Sequence, residues 1–178
     1  DTFIRENPIH NRVDYALYIK GLSYFEDETK FLEEKFKRDL TKRPPGEMDL
    51  AYSTFLRLVE RFPDSKYSAD ARQRIIAIKE RMSIYENHVA DYYLRRGAYV
   101  ASINRAKSAL EKYNGTSGNA ESLRILIDAY DALGLSELRD DAKQVLRENF
   151  PDNDILEIEQ SEKGFLDWIN SGLPFKKN

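Results

Sequence analysis

The residues that could do chemistry are few, and their spacing does not assemble them. His10 and His88 are the only histidines and there is no cysteine, so a hydrolytic triad or a zinc site has little to be built from. His10 follows Pro8 in a turn and His88 lies off the apolar stripe of a long helical stretch; both read as ordinary surface histidines. Gly115 and Gly118 sit in a short polar turn without the Lys that a phosphate-binding loop requires. Asp152-Asn153-Asp154 opens like a calcium loop but lacks the glycine of its sharp turn, and reads as a helix cap. Asn114-Gly115-Thr116 fits a glycosylation acceptor, yet an Asn-Gly turn between helices is the better reading. Asp140 and Asp141 are adjacent, so on a helix they point apart and cannot share a substrate. The sequence therefore predicts no catalytic residue, no metal site and no cofactor. Its work should be to hold other proteins.

The bulk numbers agree with a folded binding protein. Its 178 residues suffice for one domain with a core or a short repeat array. A net charge of -3 argues against a broad nucleic-acid surface. No apolar run approaches the roughly 20 residues of a membrane span. The chain opens at Asp1-Thr2-Phe3-Ile4, which suggests a trimmed piece with any targeting segment upstream.

The elements that must position any binding residues are helices. Glycines and prolines separate apolar-periodic stretches and predict helices over 13–26, 47–61, 65–96, 98–113, 118–133 and 136–149, with a weaker one inside 154–171. No segment alternates at period two, so no sheet is expected. In the third helix, Ala71, Ile75, Ile78, Met82, Tyr85, Val89 and Tyr92 recur at steps of four and three, which predicts one continuous buried face. Asp64 or Ser65 can cap its start and Gly97 can end it.

A repeat underlies this pattern. Ala90, Tyr93, Gly97, Tyr99, Ser102, Ala106 and Ala109 place small, aromatic and glycine residues as a tetratricopeptide unit does, with Ala106 where a bulky residue is usual. Leu17, Gly21 and Tyr24 with Ala51, Phe55, Leu58 and Pro63 form another copy, interrupted by a charged insertion over 27–45. Leu123, Tyr130, Gly134 and Pro151 form a third, in which the small residue expected near Arg139 appears at Ala142. The expected fold is all-α: a tetratricopeptide-repeat superhelical array of about three helix pairs with a C-terminal helical tail. Its parts are the tail of a preceding repeat (1–12), repeats over 13–63, 64–114 and 115–151, and a C-terminal extension (152–178), which can cap the array with Phe165, Leu166, Trp168 and Ile169.

Recognition residues cluster between the third and fourth helices. Tyr85, Tyr92, Tyr93 and Tyr99 stand with Arg95, Arg96 and Arg105, the residue types that most often anchor interfaces. Tyr93 and Tyr99 occupy repeat-packing positions; Tyr92, Arg96 and Arg105 are not required by the repeat. The stretch Arg81-Met82, Tyr85-Glu86, Val89-Ala90, Tyr92-Tyr93, Arg96-Gly97-Ala98-Tyr99-Val100-Ala101 and Asn104-Arg105, with Phe3-Ile4-Arg5, Asn7-Pro8, Asp14-Tyr15 and Arg61-Phe62-Pro63-Asp64-Ser65, resembles the BamD family of outer-membrane-protein assembly lipoproteins of Gram-negative bacteria. The likeness runs from residue 3 to about 150, over what would be the C-terminal three of that family's five repeats.

The resemblance implies a scaffold at the periplasmic face of the outer membrane, held to the inner leaflet by a lipid on a cysteine upstream of this chain. It implies docking to the POTRA domains of BamA, with other lipoproteins of the same machine and client outer-membrane proteins as further partners. The arginine of the Asn-Arg pair lies at the BamA contact in the family, which maps that role to Arg105 with Asn104 beside it; Tyr85, Tyr92 and Arg96 are carried over with their motifs. The alternative is a generic repeat adaptor that binds peptide segments in its concave groove.

Overall fold

The structure, a computed structural model, describes residues 1–33 and 46–151. Among them every regular element is a helix: α1 Thr2–Glu6, α2 Val13–Glu33, α3 Met48–Arg61, α4 Ser68–Arg95, α5 Tyr99–Lys112, α6 Gly118–Ala132 and α7 Ser136–Asn149. Each helix packs on the next, and α4 also packs on α6. The pairs α2/α3, α4/α5 and α6/α7 are the helix hairpins of a tetratricopeptide-like array. Helix α2 runs to Glu33, beyond the end expected at 26, so the 27–45 insertion begins as a continuation of that helix. The remainder of the insertion and the 152–178 extension, with its expected capping helix and its Asp152–Asp154 run, lie outside the described residues.

Local chemistry sets the helix ends. Gly97 (φ +73°) and Gly134 (φ +70°) take left-handed backbone that a side chain would strain. After each, the next amide closes back on the helix, Ala98 N–H to the Tyr93 carbonyl (3.0 Å) and Leu135 N–H to that of Tyr130 (2.9 Å). The start of α4 differs from expectation. Its N-cap is Tyr67, and neither Asp64 nor Ser65 caps it. The Ser65 hydroxyl donates to Asp14 of α2 (2.6 Å), and its oxygen accepts the amide of Tyr67 (3.3 Å), so it ties the approach to α4 onto α2 rather than capping the first turn.

The buried residues form two clusters that share α4. One gathers Ile4, Val13, Leu17, Met48, Ala51, Phe55, Leu58, Ala71, Ile78 and Met82. The other gathers Ala90, Ile103, Ala106, Leu123, Leu126, Tyr130, Ala142 and Leu146. Small residues set the helix spacing, as the repeat pattern predicts: a Cβ on Gly21 would stand 2.5 Å from the Phe55 ring, so α2 and α3 approach as closely as a bare backbone allows. Ser102 and Ala106 are fully buried where α5 meets its neighbours, and the Ser102 hydroxyl donates to the Ala90 carbonyl (2.9 Å).

One expectation about α4 fails. Ala71, Ile78 and Met82 are buried as predicted, but the face does not continue through Tyr85, Val89 and Tyr92; beyond Met82 the buried residues are Ser83, Asn87 and Ala90, while Tyr92 is 48% exposed. A one-residue step turns a helix by about 100°, so α4 buries one side among the early helices and another against α6. The second contact is close and polar. The Asn87 amide donates to the Gly118 carbonyl (2.7 Å) and accepts from Ser122 (2.6 Å). These bonds satisfy groups that would be costly to bury alone. An apolar-only count of periodicity cannot register such a face.

Candidate functional site

The antiparallel pairing of α4 and α5 about the Gly97 turn brings late α4 residues against α5. Arg105 on α5 meets Glu86 on α4, its Nη1 lying 3.1 and 3.3 Å from the two carboxylate oxygens. The two side chains are unequally covered: Glu86 is 15% exposed and Arg105 47%. The pair thus fixes one edge of the guanidinium and leaves the rest facing solvent, where a partner's carboxylate could take further N–H donors. Asn104 is exposed beside it.

The other expected residues fall into two groups. Two turns apart on α4, Tyr85 and Tyr92 lie on one side of the helix. Tyr92 carries Arg96 over its ring at 5.1 Å, and meets Tyr93 edge-on at 5.8 Å; both Tyr92 and Arg96 are exposed. Tyr85 instead lines a cleft with Asp49 and Tyr52 of α3, Met82 and Glu86 of α4, and Lys112 and Tyr113 at the end of α5. Glu86 therefore joins Tyr85's cleft to Arg105, whereas Tyr92 and Arg96 form a separate exposed pair. Tyr99 packs on the second core, in keeping with its repeat position.

The cleft carries two carboxylates, Asp49 and Glu86, and one cation, Lys112. The Tyr113 phenol is pushed up to about 12, first by burial and then by the charges of Asp49 and Glu86. Glu86 is the residue that sequence reasoning quoted in a motif without giving it a role. The available signal was the hairpin itself: folding the chain about Gly97 sets an acid upstream against the arginine downstream. His10 is exposed, its ring edge-on to Phe3 at 5.3 Å. Among the described residues no group of His, Asp and Glu could hold a metal ion.

Other polar ties bind helices to each other. Glu80 of α4 accepts the Ser117 amide (3.0 and 3.2 Å) at the start of α6, and Lys79 donates to the Asn114 carbonyl (2.7 Å). Gly115 holds that turn with φ +80°, and the buried Thr116 hydroxyl donates to the Tyr113 carbonyl (2.8 Å). The Asn-Gly-Thr stretch is thus an ordered interhelical turn. Arg124 of α6 spans Glu121, Asp128 and Asp91 of α4 at 2.6, 2.5 and 3.5 Å, and these carboxylates raise its pKa.

Three stacked helix hairpins define a helical-repeat protein of the tetratricopeptide type. More particularly, the chain belongs to the YfiO family of outer membrane lipoproteins, whose family model matches residues 1–145. It is 41% identical over 156 residues to the outer membrane protein assembly factor BamD of Neisseria meningitidis serogroup A, a match covering 88% of this chain and 58% of that protein. It is 36% identical over 149 residues to the protein of the same name from Vibrio cholerae serotype O1, covering 84% of this chain and 62% of that protein. The chain spans less than two thirds of the length of these curated relatives.

Proposed function

We propose that this chain is a non-enzymatic scaffold of the outer-membrane β-barrel assembly machinery, and that it docks the POTRA region of BamA through Arg105 and its neighbours. Family membership and relatives named as assembly factors support the setting. The observation that carries the docking face is the Arg105 guanidinium, oriented by Glu86 yet half exposed. A positioned arginine forks onto a carboxylate with two hydrogen bonds, which a lysine cannot reproduce. Tyr92 at the end of α4 and Arg96 just beyond it offer a second, separate aromatic-cationic patch, and Asn104 adds a polar contact next to Arg105.

The proposed location is the periplasmic face of the outer membrane, reached through a lipid anchor upstream. The family's description as lipoproteins supports that placement. Among the described residues no helix is long and apolar enough to cross a membrane.

The test is calorimetric titration of the chain with BamA POTRA domains from the same organism. Arg105→Glu should weaken binding by about 2 kcal/mol or more, since reversal puts two carboxylates together and leaves a partner charge unpaired. Equal affinity of the variant and the parent chain would remove Arg105 from the interface.

A further inference from the structure

The cleft beside Arg105 holds more polar capacity than the fold uses. Asp49, exposed at the start of α3, makes no ion pair or hydrogen bond with another described side chain. The hydroxyls of Tyr52, Tyr85 and Tyr113 likewise find no hydrogen-bond partner among the described residues. Tyr113 packs into the first core, only 9% exposed, and still lines the open cleft. Lys112 stands on the lining without an ion pair to either carboxylate among the described residues, so it does not close the site.

We propose that this cleft is a receptor for an arginine side chain of the docked partner, placed next to the carboxylate that Arg105 receives. Asp49 and the uncovered side of Glu86 accept the guanidinium's N–H donors. The phenol oxygens accept others, and the tyrosine rings offer faces on which a flat, weakly hydrated cation stacks. Burial and, behind it, the charges of Asp49 and Glu86 raise the Tyr113 pKa, so both carboxylates act at that ring. Glu86 would then be shared between an arginine of this chain and one of the partner, so that an acid–base pair on the partner meets a base–acid pair here. The inference rests on the docking reading for the partner's identity, but the cleft's chemistry is tested without it.

The probe is Nα-acetyl-arginine amide, titrated into the chain while the tyrosine ring resonances are followed by NMR. Shifts confined to Tyr52, Tyr85 and Tyr113, saturating in the millimolar range, are expected. The lysine analogue should bind more weakly, and Asp49→Asn should lower the arginine affinity about tenfold, the loss of a charged hydrogen bond. Asp49 is exposed, so this variant should keep the parent's helical spectrum and melting temperature. Absence of tyrosine shifts, equal binding by the lysine analogue, or equal affinity in Asp49→Asn would overturn the cleft assignment whatever the POTRA titration gives. In that second titration, weakening by Arg105→Glu alone, with Asp49→Asn unchanged, would leave docking intact and remove the cleft from it.

Discussion

Ser83 and Gly118 meet where there is no room for a methyl group: a Cβ on Gly118 would lie 2.3 Å from the Ser83 hydroxyl oxygen and 3.1 Å from the Asn87 amide nitrogen. Gly118→Ala should therefore destabilise the fold by about 1–3 kcal/mol, the usual range for overpacking a close contact. Urea denaturation measures it, and a loss under 0.5 kcal/mol would mean the helices can move apart at little cost. Single residues were unevenly legible in the sequence. Arg105 stood out because the repeat does not need it, and Gly97 because a helix had to end there. Ser83, Asn87 and Glu86 did not stand out, since each matters through a residue far along the chain, and local spacing carries no record of such partners.

Helices were more legible than residues, because glycine and proline interrupt the apolar periodicity at nearly every joint. The five helices from α3 to α7 begin and end close to their expected limits. Two things were not legible: how far α2 continues, since its last turns belong to a charged stretch without a breaker, and how α6 is started. None of the helices α3 to α7 has a side-chain cap hydrogen bond at its own N-cap. For α6 a residue of another helix takes part, because Glu80 accepts the Ser117 amide and brings negative charge to the positive end of the helix. Glu80→Ala should cost about 0.5–2 kcal/mol, as loss of a helix cap does. Amide hydrogen exchange should rise in the first turn of α6 before it rises in α7; unchanged protection there would show that the contact with α4 alone holds that turn.

At the scale of the molecule, both cores draw on α4, whose 28 residues run roughly 42 Å at 1.5 Å per residue. Phe55 is fully buried in one core and Leu146 in the other. Phe55→Ala should cost about 3–5 kcal/mol and Leu146→Ala about 2–5 kcal/mol. Because the helix belongs to both cores, each variant should shift a single urea transition rather than split it. Circular dichroism and tyrosine fluorescence followed together check this; two separated transitions in either variant would show that the cores fold independently. The array of three hairpins was readable from the repeat pattern, whereas the division of α4 between two cores was not, since it turns on which side of one helix faces which neighbour.

That shared helix also bears on how such a chain can be cut and recombined. Repeat proteins can be lengthened, shortened or swapped at the joints between units, because each unit packs only on its immediate neighbours. Here a boundary drawn at Pro63 would strip Ala71, Ile78 and Met82 from the core they complete, and one drawn after Arg95 would leave Ala90 facing water. A chimera exchanging units with another member of the family would have to carry α4 whole, together with the small polar side chains that seat it on α6.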